Sequence, residues 1–175
     1  CMNADGEYVD IPRPEGTLLL RDVKRGNKPL FKNISASVWD IGDGVACLEF
    51  HSKMNSLNPF IISMVNKCVR KLPKKGYKAL VIHNEGTNFS VGANILMLLV
   101  TGKLRLYPII RLILRHGQFA FNRMKHAPFP VVGAPSGMAL GGGCEILLHC
   151  NATTPHSETY IGLVEAGVGL VPGWG

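Results

Sequence analysis

An α/β fold is predicted by three features of this 175-residue chain. Short β-prone runs alternate with stretches of helical spacing in the order β-β-α-β-α-α-β-α-β. Residues 79–83 form a continuous apolar run, as expected of a strand covered on both faces of a sheet. Two glycine-bearing turns each follow a strand and open a helix, the usual join of such folds. The composition, 46% hydrophobic and 18% charged, supports a packed core, and the length suits one domain or one domain plus a linker.

The elements follow in order. Residues 1–33 are punctuated by Pro12, Pro14, Gly6, Gly16, Gly26 and Pro29 and rich in charge. They read as a linker or the tail of a preceding domain, with residues 17–20 the one strand candidate. The folded unit is expected over residues 34–175. It opens with a hairpin of residues 35–40 and 45–51 about the turn Gly42-Asp43-Gly44. Residues 57–72 place Ile61, Met64, Val65, Cys68 and Leu72 on one side of a helix, with Asn55 or Ser56 as cap and Pro59 in its first turn. The strand at 79–83 comes next, then a loop over 84–91, a helix after Gly92-Ala93-Asn94, and a helix over 108–124 with Arg111, Arg115 and Arg123 facing solvent. A strand over 131–135, a glycine-rich loop over 136–143, a helix starting at 145–149 and short segments near 151–154 and 159–161 complete the order. The chain opens without Met and closes on Val171-Pro-Gly-Trp-Gly175 with no helix following. Both ends read as lying inside a longer protein, with the C-terminal part of the fold missing.

The bulk chemistry narrows the function classes. A net charge of +7 and a pI near 9.3 suit a polyanionic partner, whether nucleic acid, membrane headgroup or a phosphorylated small molecule. The basic residues are scattered and form no run of the nucleic-acid type. The most apolar stretch, residues 95–114, contains Lys103, Arg105, Pro108 and Arg111, so a clean membrane span is not expected. Five cysteines in irregular spacing, with no CxxC pair, favour a reducing, cytoplasmic setting over a disulfide framework. Six histidines show no i,i+4 or HExxH arrangement, which argues against a metal site.

Chemistry concentrates in two turns, Phe89-Ser-Val-Gly-Ala-Asn94 and Gly137-Met-Ala-Leu-Gly-Gly-Gly-Cys-Glu145. Backbone N–H groups at a helix start favour negative charge, and glycine lets another group approach the main chain. Two such turns facing one pocket supply two donors to a single oxygen, the geometry of an oxyanion hole. For either turn alone, tight helix–strand packing is the commoner use of the glycines. The second turn has neither GxGxxG spacing nor the Lys-Ser/Thr of a phosphate-binding loop. Glu145 follows the triple glycine, where the helix field holds a carboxylate ionised and fit to act as a base; a plain dipole-stabilising Glu is the alternative. Glu165 lies among apolar residues and glycines, surroundings that raise a carboxyl pKa; a lone Glu in an apolar run more commonly marks an exposed strand edge, a reading weakened here because no other charge follows it to the chain end. Cys144 reads as a small packing residue rather than a nucleophile.

With Leu48-Glu-Phe-His-Ser-Lys-Met-Asn-Ser-Leu57 and Gly162-Leu-Val-Glu-Ala-Gly-Val-Gly-Leu-Val-Pro-Gly173 added in order, the stretch from Val45 to Gly175 resembles the enoyl-CoA hydratase/isomerase (crotonase) family. The resemblance implies a crotonase-like ββα superhelix of the Clp/crotonase type. It implies that the N–H groups of Ala93 and Gly142 bind a thioester oxygen, that Glu145 activates water, that Glu165 serves the α-carbon proton, and that Asn94, Ile95, Leu96 and Gly141 line the CoA and substrate side. His51-Ser-Lys-Met-Asn and Tyr160-Ile-Gly-Leu-Val-Glu resemble the subset fused to a 3-hydroxyacyl-CoA dehydrogenase. That likeness implies a hydratase region of a multifunctional fatty-acid β-oxidation enzyme, homo-oligomeric when intact. Its substrate is an acyl-CoA, with no nucleic acid or membrane partner and no cofactor in this region; NAD belongs to the dehydrogenase region. Two departures stand out: Asn94 replaces the common Asp, and Trp174 interrupts the glycine run after Pro172. The rivals are double-bond isomerisation on the same fold, which needs one proton-shuttling carboxylate, and RNA binding without catalysis, which fits the basic pI. A Clp-type serine peptidase is excluded by Gly143-Cys144-Glu145, where its nucleophilic Ser would stand.

Overall fold

A computed structural model describes residues 2, 4–9, 13–93 and 100–175. Among them, nine strands form two sheets. The larger contains β1 (Phe31–Lys32), β2 (Ala36–Asp40), β3 (Val45–Phe50), β4 (Ala79–Ile82), β6 (Val131–Gly133) and β8 (Ala152–Thr153) in that spatial order; the smaller contains β5 (Asn88–Val91), β7 (Met138–Leu140) and β9 (Tyr160–Gly162). β1, β2 and β3 pair antiparallel, and β3, β4, β6 and β8 run parallel. The smaller sheet is parallel throughout. From β4 onward the chain therefore lays one strand in the larger sheet, crosses, and lays the next in the smaller, winding forward as a spiral.

The expected hairpin forms, with Gly42-Asp43-Gly44 in its turn and Trp39 opposite Cys47. The 57–72 pattern becomes α2 (Pro59–Lys71), and all five residues of the expected stripe are buried. A fully buried aliphatic side chain of this kind contributes about 1.5–3 kcal/mol. The cap, however, is Asn58: its Oδ1 accepts from the Phe60 and Ile61 N–H groups. Asn55 and Ser56 instead bind the smaller sheet, through Asn55 Nδ2 to the Asn88 carbonyl and Ser56 Oγ to the Val91 carbonyl. The 108–124 expectation becomes α3 (Tyr107–Lys125), which turns Gly117, Ala120, Phe121 and Met124 inward. Arg111 and Arg115 face solvent, while Arg123 is half-buried over the Phe119 ring. No helix of the described residues is long and apolar enough to cross a membrane.

Four expectations change. Residues 17–20 form no strand: α1 occupies Leu20–Gly26, with Asp22 in its first turn and Lys24 and Arg25 in its last, both signs matching the helix dipole. Its Leu20 packs on Trp39 and Cys47, and Lys24 pairs with the buried Glu49 at 2.5 Å. Residues 31–32 likewise join the larger sheet as β1 rather than stand outside it. The 84–91 and 136–143 segments, expected as loops, each contain a strand, β5 and β7. Finally, β4 is fully buried only at Leu80 and Ile82; Ala79 and Val81 are half-covered.

Asn84 joins the two sheets. It is 1% exposed; its Oδ1 accepts from Phe50 N–H at the end of β3, and its Nδ2 donates to the Phe89 carbonyl in β5, both at 2.6 Å. Removing the amide leaves two main-chain groups without partners, each costing about 1–3 kcal/mol. Asn84→Ala is therefore expected to lower unfolding stability by about 2–4 kcal/mol in urea titrations, at the large end of single-substitution effects.

Candidate active site

The three strands of the smaller sheet end at one place. Beyond β5 stand Gly92 and Ala93, beyond β7 stand Gly141 and Gly142, and beyond β9 stands Glu165. Val91, Leu140 and Gly162, the last residues of those strands, lie in register across the sheet. The spiral thus brings residues from widely separated positions to adjacent corners.

Close approach of the corners depends on the glycines. A Cβ on Gly143 would fall 2.3 Å from the Ser90 carbonyl oxygen, so no side chain fits between α4 (Gly142–Leu148) and β5. Gly141 has φ +55°, and a Cβ there would sit 2.9 Å from Glu165 Oε1. On Gly142 a Cβ would lie 3.4 Å from the Ala93 nitrogen. The two amide-bearing turns therefore meet. Gly142 is the first residue of its helix, where the N–H has no acceptor in the helix ladder. Ala93 bridges Leu57 in parallel, with Leu57 N–H donating to the Gly92 carbonyl, a pattern that turns the Ala93 N–H away from Leu57.

Ala93, Gly141, Gly142, Glu145 and Glu165 all line one cavity of about 630 Å³, with Leu57, Ile62 and Trp174 supplying apolar wall. The size suits a small-molecule site. Asn94, Ile95 and Leu96, expected on the CoA side, lie outside the described residues. α4 begins at Gly142, earlier than expected, which puts Glu145 in its first turn.

The electrostatics of Glu145 differ from the expected ones. Glu145 is 3% exposed, and burial raises its pKa; the N–H of Trp174, donating to Oε1 at 2.6 Å, opposes this, and the Glu165 charge adds to the rise. The helix field that favours ionisation is outweighed because α4 is short and desolvation acts on the whole charged group. Glu165 is half-buried, and its Oε2 is buried with no hydrogen-bond partner among the described residues, which leaves an acceptor facing inward. Cys144 is buried, and its thiol is pushed up by burial and by the charges of Glu165 and Glu145, as suits a packing residue.

In the sequence, Trp174 stands out only as a break in a glycine run. The structure makes it a wall of the cavity and a partner of Glu145; a bulky aromatic among glycines was the available signal. Leu57 and Ile62 were legible as helix-face residues but not as cavity wall.

The sequence profile of the enoyl-CoA hydratase/isomerase family matches residues 40–175. The chain belongs to this family. It is 41% identical over 170 residues to a Bacillus subtilis protein named "Probable 3-hydroxyacyl-CoA dehydrogenase", covering 97% of this chain and 21% of that one. It is 33% identical over 138 residues to the fatty acid oxidation complex subunit alpha of Psychrobacter cryohalolentis, covering 76% of this chain and 19% of that protein. The chain thus spans about a fifth of these relatives' length. Among solved structures, DspI of Pseudomonas aeruginosa superposes with a TM-score of 0.74 at 26% identity, over 83% of this chain and 55% of that one. The enoyl-CoA hydratase of Bacillus anthracis shares the fold, with a TM-score of 0.70 at 22% identity over 81% of this chain and 55% of that chain. The crotonase fold expected from the motifs is the fold found.

The contact of Gly143 with Ser90 gives a direct test of corner assembly. Gly143→Ala is expected to cost about 1–3 kcal/mol or more of stability, because the obstacle is main chain and cannot rotate away. Thermal unfolding of the variant beside a Gly102→Ala control, whose added Cβ meets nothing within 4 Å, checks it.

Proposed function

We propose that this chain forms an enoyl-CoA hydratase site within a longer fatty-acid oxidation protein. The observation that carries the reading is the convergence of two main-chain amides and two carboxylates on one cavity. Its relatives' names, 3-hydroxyacyl-CoA dehydrogenase for one and fatty acid oxidation complex subunit alpha for another, support the setting.

In this reading the thioester oxygen of a 2-enoyl-CoA accepts from the N–H groups of Ala93 and Gly142. Those donors stabilise the negative charge that develops there when the β-carbon is attacked, and one such donor is worth about 2.7–4 kcal/mol. Glu145 takes a proton from water, whose oxygen bonds to the β-carbon. Glu165 gives a proton to the α-carbon. The double bond is consumed, one water is added, and proton exchange between the two carboxyl groups restores the starting state. The addition is redox-neutral and uses no cofactor from this region beyond the CoA thioester of the substrate. Both glutamates line the cavity, which favours hydration over isomerisation. The four described free cysteines, Cys47, Cys68, Cys144 and Cys150, accord with a cytoplasmic site of action, and homo-oligomerisation of the intact protein belongs to the same proposal.

Loss of enone absorbance from crotonyl-CoA measures the reaction in the whole natural protein. Glu145→Gln and Glu165→Gln are each expected to lower kcat by about 10²–10⁴-fold with the fold intact by circular dichroism. Full activity in both variants would refute the assignment. Glu145 must be ionised to accept the proton, and its pKa is raised. kcat/KM is therefore expected to rise with pH through a limb above the usual carboxylate range and to lose that limb in Glu145→Gln.

A further inference from the structure

Trp174 stands between Gly173 and Gly175 and is buried near the site, at 6% exposure. Its indole spans the gap between α3 and α4. The pyrrole side rests on Gly117 of α3, where an added Cβ would fall 2.3 Å from Nε1. The benzene side rests on Gly142 of α4, where an added Cβ would fall 3.0 Å from Cζ3. Phe121 meets the ring edge-on at 5.6 Å.

The main chain that carries the ring is held at two points, while the indole Nε1 is buried with no hydrogen-bond partner among the described residues. Gln118 Nε2 donates to the carbonyl of Gly173 at 2.8 Å, and the Trp174 N–H donates to Glu145 Oε1 at 2.6 Å. The same residue thus positions a carboxylate with its main chain and fills space with its side chain. That space adjoins the amide of Gly142, where the thioester carbonyl is placed in the reading above. An acyl tail running inward between α3 and α4 would meet the indole. Away from the indole, the cavity lining includes Leu112, Val168 and Val171, all exposed, where added methylenes gain less than against a buried wall.

From this geometry we propose that Trp174, seated on Gly117, is a specificity-determining wall that limits the site to short-chain 2-enoyl thioesters. The inference rests on the hydratase reading but can fail separately from it.

The test compares crotonyl-CoA with trans-2-dodecenoyl-CoA in the whole natural protein. kcat/KM is expected to favour the short substrate by at least about tenfold, the scale on which an apolar pocket rejects what does not fit. Trp174→Ala is expected to reduce that ratio by about tenfold or more, through the long substrate, whereas Trp174→Phe, which keeps a ring on Gly117, retains the preference. Equilibrium binding of butanoyl-CoA and dodecanoyl-CoA to the unaltered protein reads the same preference without turnover or any variant. Equal handling of both lengths by the unaltered protein, or an unchanged ratio in a folded Trp174→Ala, overturns the wall and leaves the reaction standing. No enone loss at either length, with both acyl-CoAs still bound, overturns the hydratase reading instead; the binding ratio then still decides the wall.

Discussion

The contact between the main chain of Gly143 and the carbonyl of Ser90 sets the spacing on which the site depends. It brings the start of α4 against β5 with no side chain between them, and with it Gly142 against Ala93. Were the two elements an ångström or two further apart, the amides of Ala93 and Gly142 would face different regions of solvent. Two donors can polarise one oxygen only if both fall within hydrogen-bond distance of it. The triple glycine is therefore a packing device, and under the proposed hydratase reading the same close approach is what would let both amides reach one oxygen.

The smaller sheet explains how distant residues are gathered. Its three parallel strands end in register, and each delivers its chemistry just beyond its last residue: an amide after β5, a second amide after β7, a carboxylate after β9. Asn84 couples this sheet to the larger one through two main-chain groups, so the corners inherit the rigidity of the core. Burial of Glu145 at the same place explains why its carboxyl is harder to ionise than a helix start alone would make it.

Much of this was legible in the sequence, for physical reasons that differ by element. α2 announced itself because five apolar residues at helical spacing leave no other way to bury them, and β3 and β4 because β-prone runs bounded by turns have few alternatives. β5 and β7 were hidden: Asn-Phe-Ser-Val and Met-Ala-Leu are too short for a period to show, and their pairing partners lie tens of residues away. α1 does not show in the sequence because what holds it, Leu20 packed on Trp39 and Cys47, is tertiary. At the site, the glutamates and glycines stood out by type and spacing. The inward placement of Trp174 did not, since nothing local says which way an indole will turn.

The spiral also has a consequence for how the protein can vary in length. The stretch carrying α3, which returns the chain from β5 in the smaller sheet to β6 in the larger, does not set the height of the β7 and β9 corners. An insertion there can bulge outward and leave the three strand ends level. A single added residue between β7 and Gly141 would instead rotate the backbone by half a pleat and aim an amide the wrong way. Natural length variation should therefore collect in the return that carries α3 and be nearly absent from the few residues that follow each short strand.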